Sequence, residues 1–204
     1  MIIGSHNSLS YAKTKKWYMK PFAWMARCQK VDLHDQFYKY GVRYFDVRID
    51  YKKDGTRVFK HGSAIWDLKA WEVIPALNKM ANTVNEPVYV RVILENNFKS
   101  HDQAFKDKEF IEDCAWFKNT YENLIFVGGR RKYDWQRLYD FKTKEPTLDD
   151  KYSSTTHPFG GDKKSIFAKI DDFWPWFYAK THNKKHYKEG TKEDVLFLDF
   201  VNIK

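Results

Sequence analysis

Apolar residues along the chain come in short runs cut by polar stretches, and the type of each run predicts an element. GVRYFDVRID at 41–50 leads with Val42, Tyr44 and Phe45 before Asp46 and Arg48 enter, which predicts a strand carrying both charges on one face. A carboxylate in such a run is costly to bury unless it is paired, and Arg48 is two residues away. The following KKDGTRVFKHG contains Asp54-Gly55, a hairpin signal that returns His61-Gly62 to the end of that strand. DLKAWEVIPALNKMA predicts a helix with Asp67 as N-cap, and Pro75 as a possible kink. Its stripe runs through Leu68, Trp71, Ile74 or Pro75, and Leu77 or Asn78.

Further along, EPVYVRVILENN reads as a strand bounded by Pro87 and ending in Glu95-Asn96-Asn97. A helix is expected over 102–120, a third strand in NLIFVGG at 123–129, and loop over 142–163. KSIFAKIDDFWPWFYAKTH is helix-like and aromatic, with a break near Trp174-Pro175, and DVLFLDFVNIK is a last strand interrupted by Asp199. His34, in VDLHDQFYKYG, fits a further helix. Alternating strands and helices predict an α/β fold of parallel strands covered by helices, in one domain spanning 1–204. A closed barrel of that kind would set the last strand beside Ile2 and Ile3, so that the two ends of the sequence pin each other.

That expectation bears on the opening MIIGSHNSLSY, where a His-Asn pair lies six residues from the start. Either Ser5 or Asn7 caps a helical turn and His6 is incidental, or His6 is held at a strand end. On the barrel reading, His6, Asp46 with Arg48, His61, Glu95 and Asp199 all fall at strand ends, and the C-terminal strand ends of a β/α barrel form its active face. Two histidines acting as base and acid suit phosphoryl transfer to a nearby hydroxyl. A carboxylate such as Asp199 would fix one imidazole's tautomer, and an arginine would neutralise charge growing on phosphate oxygens. His101, His157, His182 and His186 lie in polar segments without metal-ligand spacing.

The charge balance of 36 Lys and Arg against 27 Asp and Glu, a formal +9, favours an anionic partner: a phosphate ester, an acidic membrane face or nucleic acid. Nucleic acid is the weakest of these, because zinc-finger spacing and RNP-like motifs are absent. Cys28 and Cys114 sit in apolar contexts without ligand spacing and read as buried thiols. No apolar run reaches eighteen residues, so no membrane span is expected. The start lacks a leader pattern, and the expectation is a soluble chain, cytoplasmic or secreted with its signal removed, acting at a membrane surface. Gly128-Gly129-Arg130-Arg131 follows an apolar strand and either presents an arginine to a phosphate or is solvated surface. Phe173, Trp174, Trp176, Phe177 and Tyr178 form either a core helix face or, with nearby lysines, a rim that touches a membrane.

Taken in order, GSHNSLSY, GVRYFDVRI, VFKHG, VILENN and VLFLDFVN resemble the successive strand-end motifs of the phosphatidylinositol-specific phospholipase C family, the X-region phosphodiesterases. They cover much of 2–101 and 194–203, whereas 130–190 matches only loosely. The resemblance is to the bacterial, metal-independent type and implies a distorted, compact TIM-type barrel. It also implies cleavage of phosphatidylinositol by in-line attack of the inositol 2-hydroxyl, giving diacylglycerol and a cyclic inositol phosphate. His6 would be the general base, His61 the general acid, and Asp199 the carboxylate orienting His6. Asp46 and Arg48 match the bacterial pattern, in which arginine contacts the phosphate and the attacking hydroxyl. Asn7, Glu95 and Arg130 are the expected substrate contacts.

Asn7 and Glu95 also resemble calcium ligands of the eukaryotic enzymes, and with Asp46 they form an alternative calcium site. The favoured expectation is no cofactor, with Arg48 replacing the metal and Glu95 as its anionic partner. The expected partner is an anionic phospholipid or inositol phosphate with peripheral membrane contact. The alternatives are a related phosphodiesterase on another headgroup and a non-catalytic binding protein on the same barrel.

Overall fold

Alternation along the strands sets the architecture, because successive side chains point to opposite faces. The computed structural model describes residues 1–95, 103–127, 175–189 and 194–203. Its strands are β1 (Ile2–Ser5), β2 (Val42–Tyr51), β3 (Arg57–His61), β4 (Ala64–Ile65), β5 (Tyr89–Leu94), β6 (Ile125–Val127) and β7 (Val195–Leu198). The parallel strands run β7, β1, β2, β5, β6, while β3 folds back antiparallel on the far end of β2 and β4 on β3. The helices are α1 (Ala70–Ala81), α2 (Gln103–Thr120) and α3 (Pro175–Glu189), joined by a 3-10 stretch at Trp17–Ala26 and a π turn at Asp35–Lys39. Among the described residues the sheet is an open arc between β6 and β7, not the closed barrel expected from the sequence. The expected pairing of the two ends is present: Ile2 lies opposite Val195 and Ser5 opposite Leu198.

On β2, Phe45, Val47 and Ile49 join Val90, Val92 and Leu94 of β5 and Leu196 and Leu198 of β7 in the large core that also holds side chains of α1 and α2. Burying each of these aliphatic or aromatic groups stabilises by about 1.5–3 kcal/mol. The alternate positions face the other way, where Tyr44, Tyr89, Val127, Val195 and Phe197 make a smaller cluster at the base of that face. Asp46 and Arg48 continue the same set of positions toward the strand end. Gly4 is required here, since a Cβ would lie 2.9 Å from Val195 Cγ1 and 3.0 Å from Phe197 Cδ2.

The hairpin forms at Asp54-Gly55 as expected, with Gly55 at φ +78° and Lys52 N–H donating to Thr56 O at 3.0 Å. Helix α1 departs from the expected start. Lys69 occupies its N-cap without a side-chain cap bond, and Asp67 is held outside the helix by its N–H to Lys13 O at 2.7 Å. Its buried stripe is Val73, Ile74, Leu77 and Met80, while Trp71 is 68% exposed. Helix α3 begins at Pro175, where a missing N–H costs nothing, and runs to Glu189. It buries Asn183 against the exit of β7, with Nδ2 donating to Asp199 O at 2.7 Å and Phe200 O at 3.2 Å. Cys28 and Cys114 are buried and unbridged, as expected. Among the described residues no helix is long and apolar enough to cross a membrane.

Candidate active site

The question raised by the opening residues has a structural answer: β1 is tied on both sides, and the turn after it is tied as well. His6 N–H donates to Leu198 O at 2.9 Å, continuing the β7 ladder. Ser8 bridges to β2, with its N–H on Asp46 O at 3.0 Å and its Oγ accepting Asp46 N–H at 2.9 Å. Gln29 is the clamp between the two ends: its Nε2 donates to His6 O and Leu198 O, both at 3.0 Å, and its Oε1 accepts Val201 N–H at 3.2 Å. Asn7 takes the left-handed conformation at φ +44°, and residues 6–11 form turns, not the helix start that was one reading of the sequence.

This turn delivers His6 onto the charged face. His6 Nδ1 lies 2.8 Å from Asp199 Oδ1, and Nε2 lies 2.6 Å from Arg48 Nη2. A guanidinium only donates, so Nε2 carries the lone pair and the proton sits on Nδ1, donated to Asp199. Arg48 places Nε and Nη2 both 3.0 Å from Asp46 Oδ2 and Nη1 3.4 Å from Glu95 Oε2. Burial alone would lower the Arg48 pKa, but Asp46 and Glu95 outweigh it and hold the guanidinium above its ordinary value. His61 donates from Nδ1 to Ala26 O at 3.0 Å, because a carbonyl only accepts, so the proton it can exchange is the one at Nε2. The two imidazoles stand 5.9 Å apart, centroid to centroid, at 85°. His6, Asp46, Arg48, His61, Glu95 and Asp199 are therefore brought together: His6, Glu95 and Asp199 just past the ends of β1, β5 and β7, His61 at the end of β3, and Asp46 and Arg48 within β2.

Arg91 was not singled out from the sequence. It lies opposite Asp46 in the β2–β5 register, with Nη2 3.3 Å from Asp46 Oδ1, and it covers the Phe197 ring at 4.8 Å. The signal was present: an arginine within VYVRVIL needs a buried counter-charge, as Asp46 needed Arg48. The alternative calcium set does not fit. Asp46 Oδ2 already accepts from Asn7 N–H and Arg48, Asp46 Oδ1 faces Arg91, and Glu95 is shared between Arg48 and Gly62 N–H. Calcium needs six to eight oxygens, and the Asp46 and Glu95 oxygens are committed to guanidinium and amide donors. Asn7 Nδ2 donates to Ala26 O at 3.5 Å. Arg130, Phe173 and Trp174 lie outside the described residues, and Trp176 is exposed.

No family model matches the chain, and no curated protein matches it. Among solved structures, phosphatidylinositol-specific phospholipase C from Listeria monocytogenes aligns with a TM-score of 0.61 at 15% identity, over 98% of this chain and 87% of that one. Two structures of the Staphylococcus aureus phosphatidylinositol-specific phospholipase C align with TM-scores of 0.54 and 0.55 at 13% and 14% identity, each over 98% of this chain. The resemblance read from the motifs thus extends to the fold over nearly the whole chain.

Proposed function

We propose that the chain is a single catalytic domain, 1–204, on a distorted TIM-type barrel, that cleaves phosphatidylinositol-type lipids without a metal. The observation that carries this reading is the two-sided partnering of His6, with Asp199 at Nδ1 and Arg48 at Nε2. Asp199 holds the tautomer that leaves Nε2 basic, and Arg48 lies where an attacking hydroxyl and a phosphate oxygen would both meet a fixed positive charge. As substrate enters, the Arg48 contact to Nε2 opens toward the phosphate oxygens, and the freed Nε2 takes the proton of the inositol 2-hydroxyl as its oxygen bonds to phosphorus. The bond from phosphorus to the diacylglycerol oxygen breaks, and His61 Nε2–H protonates that oxygen. The products are diacylglycerol and a cyclic inositol phosphate. The Ala26 carbonyl orients the His61 ring. Asn7, Glu95 and Arg130 are the proposed substrate contacts.

An approach to lipid is supported by a segment next to the site. Within Trp17–Ala26, Trp17, Tyr18, Phe22 and Trp24 are all exposed, Trp17 by 78%, and Lys15 and Lys20 beside them are exposed too. Aromatic groups among lysines suit an anionic bilayer interface. The same segment ends at Ala26, the carbonyl partner of His61, so docking there faces the site toward the bilayer. The other aromatic run, either core face or rim at 173–178, lies partly outside the described residues; within them, Trp176 is exposed with Lys180 over its ring. Purified chain incubated with phosphatidylinositol vesicles in excess chelator tests the reading: diacylglycerol release supports it, and release only on adding calcium refutes the metal-free mechanism.

The burial of His6 at 3% and Arg48 at 1% favours a second reading, a non-catalytic inositol phosphate binder. Inositol phosphate binding without any lipid cleavage would select it.

A further inference from the structure

We propose that a thiophilic divalent cation of the zinc class binds among His6, Cys28 and Asp199 and switches the site off. The inhibitory half rests on the phosphodiesterase reading above; the binding half does not. The three residues are buried on separate segments, and each offers a ligand atom within 4.8 Å of the other two. Asn7 hydrogen-bonds the Cys28 thiol from its amide side chain. Thiolate, imidazole and carboxylate make a mixed sulfur, nitrogen and oxygen set of three, which suits zinc with a fourth position left to solvent and not oxygen-demanding calcium.

Binding displaces protons on two of the three groups: the buried Cys28 thiol beside Asp199 must lose its proton to ligate, and His6 Nδ1–H points at Asp199. A dication would replace both protons. Cys28 releases one to solvent, while His6 stays neutral by carrying its proton on Nε2 instead of Nδ1. That proton would face Arg48 Nη2 at 2.6 Å, donor against donor, so the Arg48 contact must open. The bound cation and the resting base are therefore mutually exclusive: once Nδ1 is ligated, Nε2 has no lone pair with which to take a proton. Asp46, Glu95 and Asp199 already exceed Arg48 and Arg91 by one negative charge, and a thiolate adds a second, which a dication balances.

The test uses full-length chain, freed of metal and reduced, titrated with cadmium and followed by its ultraviolet thiolate charge-transfer band, with zinc binding by calorimetry. Wild type and Cys114→Ser should show the band at one cadmium per chain. Cys28→Ser and Cys28→Ala should lack it and bind zinc about 10- to 100-fold more weakly or worse. Zinc should inhibit phosphatidylinositol cleavage by wild type, reversibly with chelator, while Cys28→Ser keeps metal-free turnover and tolerates at least about tenfold more zinc. Having two substitutions at Cys28, each checked by circular dichroism, keeps the test open if one fails to fold. No band in wild type, a band that survives in Cys28→Ser, or equal zinc sensitivity in the two would overturn the site. Turnover without a band removes the site and leaves the function; a stoichiometric band without turnover does the reverse.

Discussion

The two faces of strands β2 and β5 are built from the same ten and six residues, yet they obey opposite rules. On one face Phe45, Val47, Ile49, Val90, Val92 and Leu94 pack against α1 and α2, and hydrophobic transfer accounts for their placement. On the other, Asp46, Arg48 and Arg91 are as deeply buried but make a chain of ion pairs that ends on His6. Buried ion pairs add little net stability over apolar residues of the same volume, whereas removing one partner is costly. The apolar face therefore accounts for the fold, and the charged face is a burden on the fold that function explains.

The largest effect should come from the charged face with the fold left intact. His6→Ala and His61→Ala should each lower phosphatidylinositol turnover by roughly 10²- to 10⁴-fold while the protein stays folded by circular dichroism, His6→Ala at some cost in stability. Unchanged turnover in either folded variant would remove that residue's role. Phe45→Ala reverses the pattern: denaturant titration should show a loss of about 3–5 kcal/mol, with turnover per folded molecule near wild type. If instead Phe45→Ala cost activity without stability, the division between the faces would fail. Gly4→Ala, at the base of the charged face, should cost about 1–3 kcal/mol by overpacking against Val195 and Phe197, read from the same titration. The smallest effect is at Asp67. Because Asp67 does not cap α1, Asp67→Ala should shift stability by less than about 0.5 kcal/mol, against about 1 kcal/mol for a true N-cap.

What the sequence made legible follows the same division. The strand carrying Asp46 and Arg48 and the hairpin at Asp54-Gly55 could be read because strand period and turn chemistry are local signals, whereas the pairing of Ile2 and Ile3 with the last strand came from the fold class. Placing His6 near Asp199 depended on closing that pairing across almost the whole chain. Arg91 was missed because a charge in an apolar run was weighed at β2 and not at β5. Asp67 was misplaced because its N–H is claimed by Lys13, a tertiary contact that propensity does not contain. The run of exposed aromatics at 17–24 was not singled out, because nothing in residue type separates a core aromatic from an exposed one; Phe173 and Trp174 of the other run lie outside the described residues, and Trp176 is exposed.

The central claim is that His6 and Arg48, without a metal, drive attack by the inositol 2-hydroxyl. Phosphorus NMR of the water-soluble product formed from phosphatidylinositol vesicles in excess chelator reads this directly. The account predicts a cyclic inositol phosphate as the first product from wild type, and essentially none from His6→Ala over the same time. A linear phosphate as the first product, or no product until calcium is supplied, would contradict it.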